Sequence, residues 1–352
     1  MNHTSIYFIG RKQGVGLKRF RLSSLENRRK YEYEGLKDAS KTIKQVRFIQ
    51  NANVIWVRVR PEHTTDYDRI IIEKYLKKNR EKTLIINDIN IFDNYDCKNR
   101  SFDIWDANNI KCPDHIDISM HSIKNNYSNM IKYINQFIEK NNKIFLRTNN
   151  ETSANGMFFL TVSSTQDEIK QAINLLINRC HKFLPNRRST KIMGVEYIQP
   201  KNKDNFQDIY RVHILFDKII SFYAVTSKNT IFHNIDMVES DLERFIKINK
   251  NMSKKMPELE KYILKAAHSL GCNLGAVEFF LKDEKPIFLE LNPMWGGHAS
   301  KYGFGNLDFR RYLNKNRNDL QGRIPNIYKF MDRRIYYKNL YETIGHHVLN
   351  KT

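Results

Sequence analysis

Glu278, Glu290 and Asn292 are the residues whose types and spacing best suit chemistry. They lie in Gly275-Ala-Val-Glu-Phe-Phe-Leu-Lys-Asp-Glu-Lys-Pro-Ile-Phe-Leu-Glu-Leu-Asn-Pro-Met-Trp-Gly-Gly297, two apolar strands with acidic residues where a core should have none. Side chains two apart on a strand share a face, so Glu290 and Asn292 point the same way. A three- or five-residue loop around Asp283 to Lys285 sets Glu278 directly opposite Glu290. Facing carboxylates repel, so something cationic belongs between them. Two carboxylates and an amide oxygen form a hard oxygen set that suits Mg2+ or Mn2+ beside nucleotide phosphates. A four-residue loop gives the plain alternative, with the two glutamates as surface charges on opposite faces.

Other candidates have an ordinary reading when taken singly. Arg147 ends an apolar strand before the small-residue loop Thr148-Asn-Asn-Glu-Thr-Ser-Ala-Asn155, and is either a surface charge or a phosphate anchor. Lys98, in Asp96-Cys-Lys-Asn-Arg100, reads alone as a solvated lysine at a helix start. Glu196-Tyr-Ile198 reads as a strand end, and Arg211 as an edge charge. Gly10, Gly14 and Gly16 follow a strand but match neither the dinucleotide nor the P-loop spacing.

The elements that must position these residues alternate between strand and helix patterns, an α/β (α+β) chain. Strands are expected at Ser5–Gly10, Asn53–Val59 and Lys82–Asn87, with a helix over Asp66–Lys77, giving a βαβ-type N-terminal domain over residues 1–88. A helix over Asn126–Lys140, strands at Lys143–Arg147 and Gly156–Val162, and a helix over Gln166–Lys182 fall in a second unit, 89–195. A third unit, 196–310, holds strands at Tyr210–Phe216 and Ile219–Val225, a helix from Pro257 to Leu270 and the acidic hairpin. Residues 311–352 read as a basic helical tail without chemistry.

The order of these pieces resembles the ATP-grasp superfamily, in particular its glutathione-synthetase-like and ribosomal-protein-glutamate-ligase-like carboxylate–amine ligases. The matching pieces are Ile86-Asn87, Asp96-Cys-Lys98, Ile110-Lys-Cys-Pro113, Arg147 with its loop, Glu196-Tyr-Ile198, Arg211 and the Glu278, Glu290, Asn292 triad, over roughly residues 53 to 305. The resemblance implies an ATP-grasp fold behind a pre-ATP-grasp domain. It implies ATP bound by Lys98, Arg147, the loop with Ser153 and Gly156, and an adenine hinge at Glu196, Tyr197 and Ile198. It further implies Mg2+ or Mn2+ on the triad, and Arg211, Gly296 and Gly297 around an acyl phosphate. The expected reaction joins a small-molecule or peptide carboxylate to an amine and releases ADP and phosphate. An ATP-grasp-type kinase is the runner-up. The pattern departs in three places: Arg147 replaces the usual Lys, Glu151 stands near the phosphates, and the residues after the Arg211 hairpin lack the family's counterparts. Substrate identity therefore does not carry over, and His233 and His298 stay open as acceptor contacts.

Composition bounds the rest. The formal charge is +21, and the first fifty residues hold 12 Lys and Arg against 4 Asp and Glu. That surplus attracts polyanions, but it is spread rather than blocked, so a nucleic-acid-binding module ranks below an enzyme. No apolar run reaches a membrane span and no secretion signal is seen, which gives a cytoplasmic expectation. Cys97, Cys112, Cys180 and Cys272 read as free thiols. Oligomeric state is open, a homo-oligomer included.

Overall fold

The computed structural model describes residues 3–9, 17–21, 52–59, 64–120, 126–151, 156–198, 206–229, 231–232, 236–293 and 305–350. In chain order the strands are β1 (His3–Ile9), β2 (Leu17–Arg21), β3 (Val54–Val57), β4 (Leu84–Ile86), β5 (His115–Ile118), β6 (Lys143–Thr148), β7 (Met157–Thr161), β8 (Ile192–Glu196), β9 (Gln207–Leu215), β10 (Lys218–Ser227), β11 (Leu274–Lys282) and β12 (Lys285–Asn292). The helices are α1 (Asp66–Asn79), α2 (Phe92–Asp96), α3 (Lys98–Ala107), α4 (Tyr127–Asn141), α5 (Gln166–Phe183), α6 (Leu242–Ser269), α7 (Leu307–Lys315), α8 (Arg317–Leu320), α9 (Pro325–Met331) and α10 (Arg333–Leu349). No helix among the described residues is long and apolar enough to cross a membrane.

Among the described residues the strands form three four-stranded sheets, in the orders β2-β1-β3-β4, β5-β8-β6-β7 and β10-β9-β11-β12. In the first, β1, β3 and β4 run parallel, and α1 links β3 to β4 as the expected βαβ unit. Gly10, Gly14 and Gly16 lie outside the described residues, in the connection between antiparallel β1 and β2.

The β5-β8-β6-β7 sheet carries α4 and α5 on its own core, which includes Ile116, Ile134, Ile144, Leu146, Ile173 and Ile192. One larger cluster joins β1 and β3 to the inner face of β9, β11 and β12 and to α6. Helix α3 belongs with this body: Trp105, fully buried, donates from Nε1 to the Ala266 carbonyl of α6 at 2.8 Å and packs on Phe288 of β12.

Helix α6 begins fifteen residues before the Pro257 start expected from sequence and runs through that proline. A proline inside a helix costs about 3 kcal/mol. Burial of Phe245, Ile246, Ile248, Met252, Met256, Leu259 and Ile263 along the helix outweighs it. The residues from 307 onward are no loose tail, since α9 and α10 pack on β10 and put Phe330 and Tyr336 against His213 and Tyr223.

Asn87 fastens the first sheet to the third. Its φ of 60° lies in the left-handed region, where Asn is better tolerated than most residues. Its Nδ2 donates to the carbonyls of Leu274 (2.8 Å) and Pro293 (3.2 Å), and its Oδ1 accepts from the Leu274 N–H (3.2 Å). Asn273 reciprocates, accepting from the Asn87 N–H (2.8 Å) and donating to the Ile85 carbonyl (2.9 Å). Asn87→Ala should cost about 3 kcal/mol, from unpaired buried groups plus left-handed strain. Asn87→Gly, which loses the same side-chain bonds but carries no left-handed strain, should cost less than Ala. Urea midpoints check both, and a wild-type midpoint for Asn87→Ala would contradict the clasp.

Candidate active site

The acidic hairpin reaches its register by a route that the loop count did not foresee. The turn has two residues, Asp283 and Glu284, both with positive φ (51° and 66°), between paired Lys282 and Lys285. That is the backbone of a tight primed turn. A bulge at Leu289 then adds one residue to β12, so Phe279 faces Phe288 while Glu278 faces Glu290 and Ala276 faces Asn292. The carboxylates do stand opposite each other, because of the bulge rather than the loop.

Arg211 of β9 pairs with Glu278 on the other side, and Tyr223 of β10 with Arg211, so Tyr223, Arg211, Glu278 and Glu290 form one row across four strands. Val277 and Leu291, the alternating neighbours, are buried in the core on the opposite face. The polar row thus lies on one side of a sheet whose other side is apolar.

Each carboxylate has its own cation. Arg211 Nη1 donates to Glu278 Oε1, and Lys98 Nζ lies 3.1 Å from Glu290 Oε1. The side chains of Glu278 and Glu290 stay 21% and 28% exposed, so an ion arriving from solvent can reach both. Burial would raise the Glu290 carboxyl, but the charges of Lys98, Arg147 and Arg211 override it and hold the group below its ordinary value. The cation that the sequence required between the glutamates is thus supplied in part by the protein itself.

Lys98 is the first residue of α3 and is buried. Its N–H donates to the Asn149 carbonyl (3.0 Å), and its Nζ also donates to the Glu151 carbonyl (3.1 Å). Arg187, fully buried and missed in the sequence, steadies the turn before it. Its Nη2 reaches Asp93 (3.3 Å) and Asp96 (3.1 Å), and its guanidinium lies over Phe92. Nothing in Pro185-Asn-Arg-Arg-Ser189 marks that residue as buried.

Arg147 at the end of β6 donates to the carbonyls of Thr148 (3.2 Å) and Glu151 (3.0 Å). Among the described residues it has no carboxylate in ion-pair contact. Burial pulls its guanidinium down from the ordinary value, against the pull of Glu290 and Glu151.

The loop after β6 divides in two. Thr148, Asn149, Asn150 and Glu151 are buried. Asn149 is tied to Asn99, Ser189 and Lys191, and Asn150 to Thr190. Ser153 lies in 152–155, outside the described residues, and Gly156 follows at φ 60°. Glu151, which had no rationale beside phosphates, turns its carboxylate away to Arg179 of α5 (2.5 and 2.8 Å) and Thr148 (2.7 Å) while its carbonyl faces Lys98 and Arg147. A Cβ on Gly156 would sit 2.6 Å from both Glu151 Oε2 and Arg179 Nε, so this ion pair grips both ends of the loop.

The hinge residues follow β8. Glu196 accepts from the Asp114 N–H at 3.0 Å, so its side chain serves the backbone. Tyr197 packs against Phe145 and Phe159 and bonds Gln207. Ile198 joins Phe280 and Ile287 in a small cluster bridging the second and third sheets. Gly296 and Gly297, expected at an acyl phosphate, and His233 and His298 lie outside the described residues.

The structure therefore brings together Lys98, Arg147, Arg211, Glu278 and Glu290, with Asn292 two residues along the same face of β12, in the cleft between the second and third sheets. No family model matches the chain, and no curated protein matches it in sequence. Among solved structures it is similar to D-alanyl-alanine synthetase A from Vibrio cholerae O1 biovar eltor str. N16961, at 13% identity and a TM-score of 0.50, over 85% of this chain and 77% of that one. It is likewise similar to the VanG D-Ala:D-Ser ligase from Enterococcus faecalis, at 14% identity and a TM-score of 0.50, over 84% and 73%. The chain shares its fold, the ATP-grasp fold, with these two proteins.

Proposed function

We propose that the chain is an ATP-dependent carboxylate–amine ligase working through an acyl phosphate. The observation that carries the reading is the charge balance of the cleft. Lys98, Arg147 and Arg211 converge on two carboxylates, and Arg147 has only carbonyls as partners among the described residues. A desolvated guanidinium favours an anion with paired oxygens, and a nucleotide triphosphate supplies several.

On this reading Arg147 and Lys98 hold phosphate oxygens, with Lys98 exchanging its contact to Glu290 for one to phosphate. Tyr197 and Ile198 border the adenine, and the ion pair of Glu151 with Arg179 fixes the described start of the loop beside the phosphates. Glu278, Glu290 and Asn292 offer a hard oxygen set, open enough to be reached, that would hold Mg2+ or Mn2+. When bound, that ion would offset charge on the phosphate oxygens. The acceptor carboxylate attacks the terminal phosphorus, and ADP leaves. An amine then attacks the acyl carbon, and inorganic phosphate leaves. Arg211 lies on the row where charge develops, so its guanidinium suits the acyl phosphate. No side chain need act as a nucleophile, so positioning and charge supply the catalysis.

ADP release assayed with Mg2+, ATP and pools of amino acids, peptides and small acids tests the proposal. Hydroxylamine in place of the natural amine should give a hydroxamate with one ADP and one phosphate per product. A stable phosphorylated product without free phosphate would assign a kinase to the same cleft. The carboxylate and the amine remain to be named by that screen.

A further inference from the structure

Away from the cleft, Asp103 and Asp106 lie three residues apart on α3 and so share a helix face. Cys112 and His115 follow in a Cys-x-x-His spacing, with His115 the first residue of β5. Cys112 Sγ is 3.2 Å from Asp106 Oδ1, and His115 Nδ1 is 3.9 Å from Asp106 Oδ2. One ligand atom from each of these three residues lies within 4.8 Å of the others. The second ring nitrogen, His115 Nε2, is 3.1 Å from Asp103 Oδ1.

We propose that Asp106, Cys112 and His115 Nδ1 bind a divalent transition metal of the zinc class, with Asp103 orienting the imidazole from its far side. Thiolate, imidazole and carboxylate together select a borderline metal and not Mg2+ or Ca2+. A carboxylate on the other ring nitrogen favours the tautomer with the proton on Nε2, the usual company of a metal-binding histidine, and ligation through Nδ1 would replace its 3.4 Å contact with the Pro113 carbonyl. A cavity of about 310 Å³, lined in part by Asp106, His115, Tyr133 and Lys140, leaves room for water as a fourth ligand.

The placement gives the ion work to do. Helix α3 is locked to the body through Trp105, whereas His115 opens the first strand of the β5-β8-β6-β7 sheet. Asp114, between the two, accepts from the Glu196 N–H at its carbonyl (2.8 Å) and donates its own N–H to the Glu196 carboxylate (3.0 Å) at the hinge. A metal on Asp106, Cys112 and His115 staples the second sheet to the body at the point where the chain crosses between them.

Titration of the metal-free, full-length chain with Co2+ under reducing conditions tests this. One equivalent should bind with a thiolate-to-cobalt charge-transfer band in the near ultraviolet and the visible bands of a four-coordinate ion, and Zn2+ should bleach both. Cys112→Ser should remove the charge-transfer band, and Asp103→Asn should weaken binding about tenfold. Glu278→Gln should leave the band in place, which separates this site from the cleft. Absence of a charge-transfer band at one equivalent in the wild type overturns the proposal whether or not Cys112→Ser folds, as does a band that persists in Cys112→Ser or vanishes in Glu278→Gln.

Discussion

Glu290→Gln should lower ATP turnover about a thousandfold, the scale set by removing one preorganised electrostatic contact from a transition state. The fields of Lys98, Arg147 and Arg211 all act on Glu290. The amide keeps the shape and loses the charge, so a metal on the row would lose one of its two anionic ligands. The sequence alone suggests that removing one of two facing carboxylates relieves repulsion in the ligand-free protein. The structure argues the opposite, because each glutamate is already paired and Lys98, at 7% side-chain exposure, would lose its counter-charge. A loss of about 2 kcal/mol in stability should accompany the loss of turnover, with the far-ultraviolet circular dichroism unchanged. Near-native turnover would remove Glu290 from the chemistry.

Lys98→Ala and Arg147→Ala should each abolish most of the stabilisation that ATP with Mg2+ confers. At a hundred times Kd, a ligand that binds only the folded state adds about 2.7 kcal/mol, read as a rise in Tm of roughly 4 °C. The two variants should part company without ligand. Lys98→Ala strips a direct partner from Glu290 and should lower the ligand-free Tm, whereas Arg147→Ala gives up carbonyl contacts and a charge that reaches Glu290 only through space, and should lower it less. A full ATP shift in both variants would place the phosphates elsewhere.

Much of this was legible in the sequence where the signal is local. Apolar runs on either side of Asp283-Glu284 marked β11 and β12, and periodic apolar positions marked α1, α4 and α5. The parts that were not legible depend on tertiary contacts. The bulge at Leu289 leaves no compositional trace, yet it sets Glu278 opposite Glu290. Pro257 signals a helix start by local rules, and only the buried stripe from Phe245 to Met256 shows why α6 begins earlier. Glu151 looked out of place because its partner Arg179 lies on α5, 28 residues away, and Arg187 resembles any loop arginine until Asp93 and Asp96 surround it. Helices α9 and α10 read as a tail because the apolar surface they cover belongs to β9 and β10.

The most direct measurement follows an oxygen atom. With the carboxylate substrate labelled by 18O and turned over with ATP, Mg2+ and the amine, the acyl-phosphate route makes a carboxylate oxygen the bridge to phosphorus. Attack of the amine at the acyl carbon then breaks the carbon–oxygen bond. One 18O per turnover should appear in the inorganic phosphate and one should remain in the amide. Released phosphate free of label, with both labelled oxygens retained in the product, would contradict the ligase account.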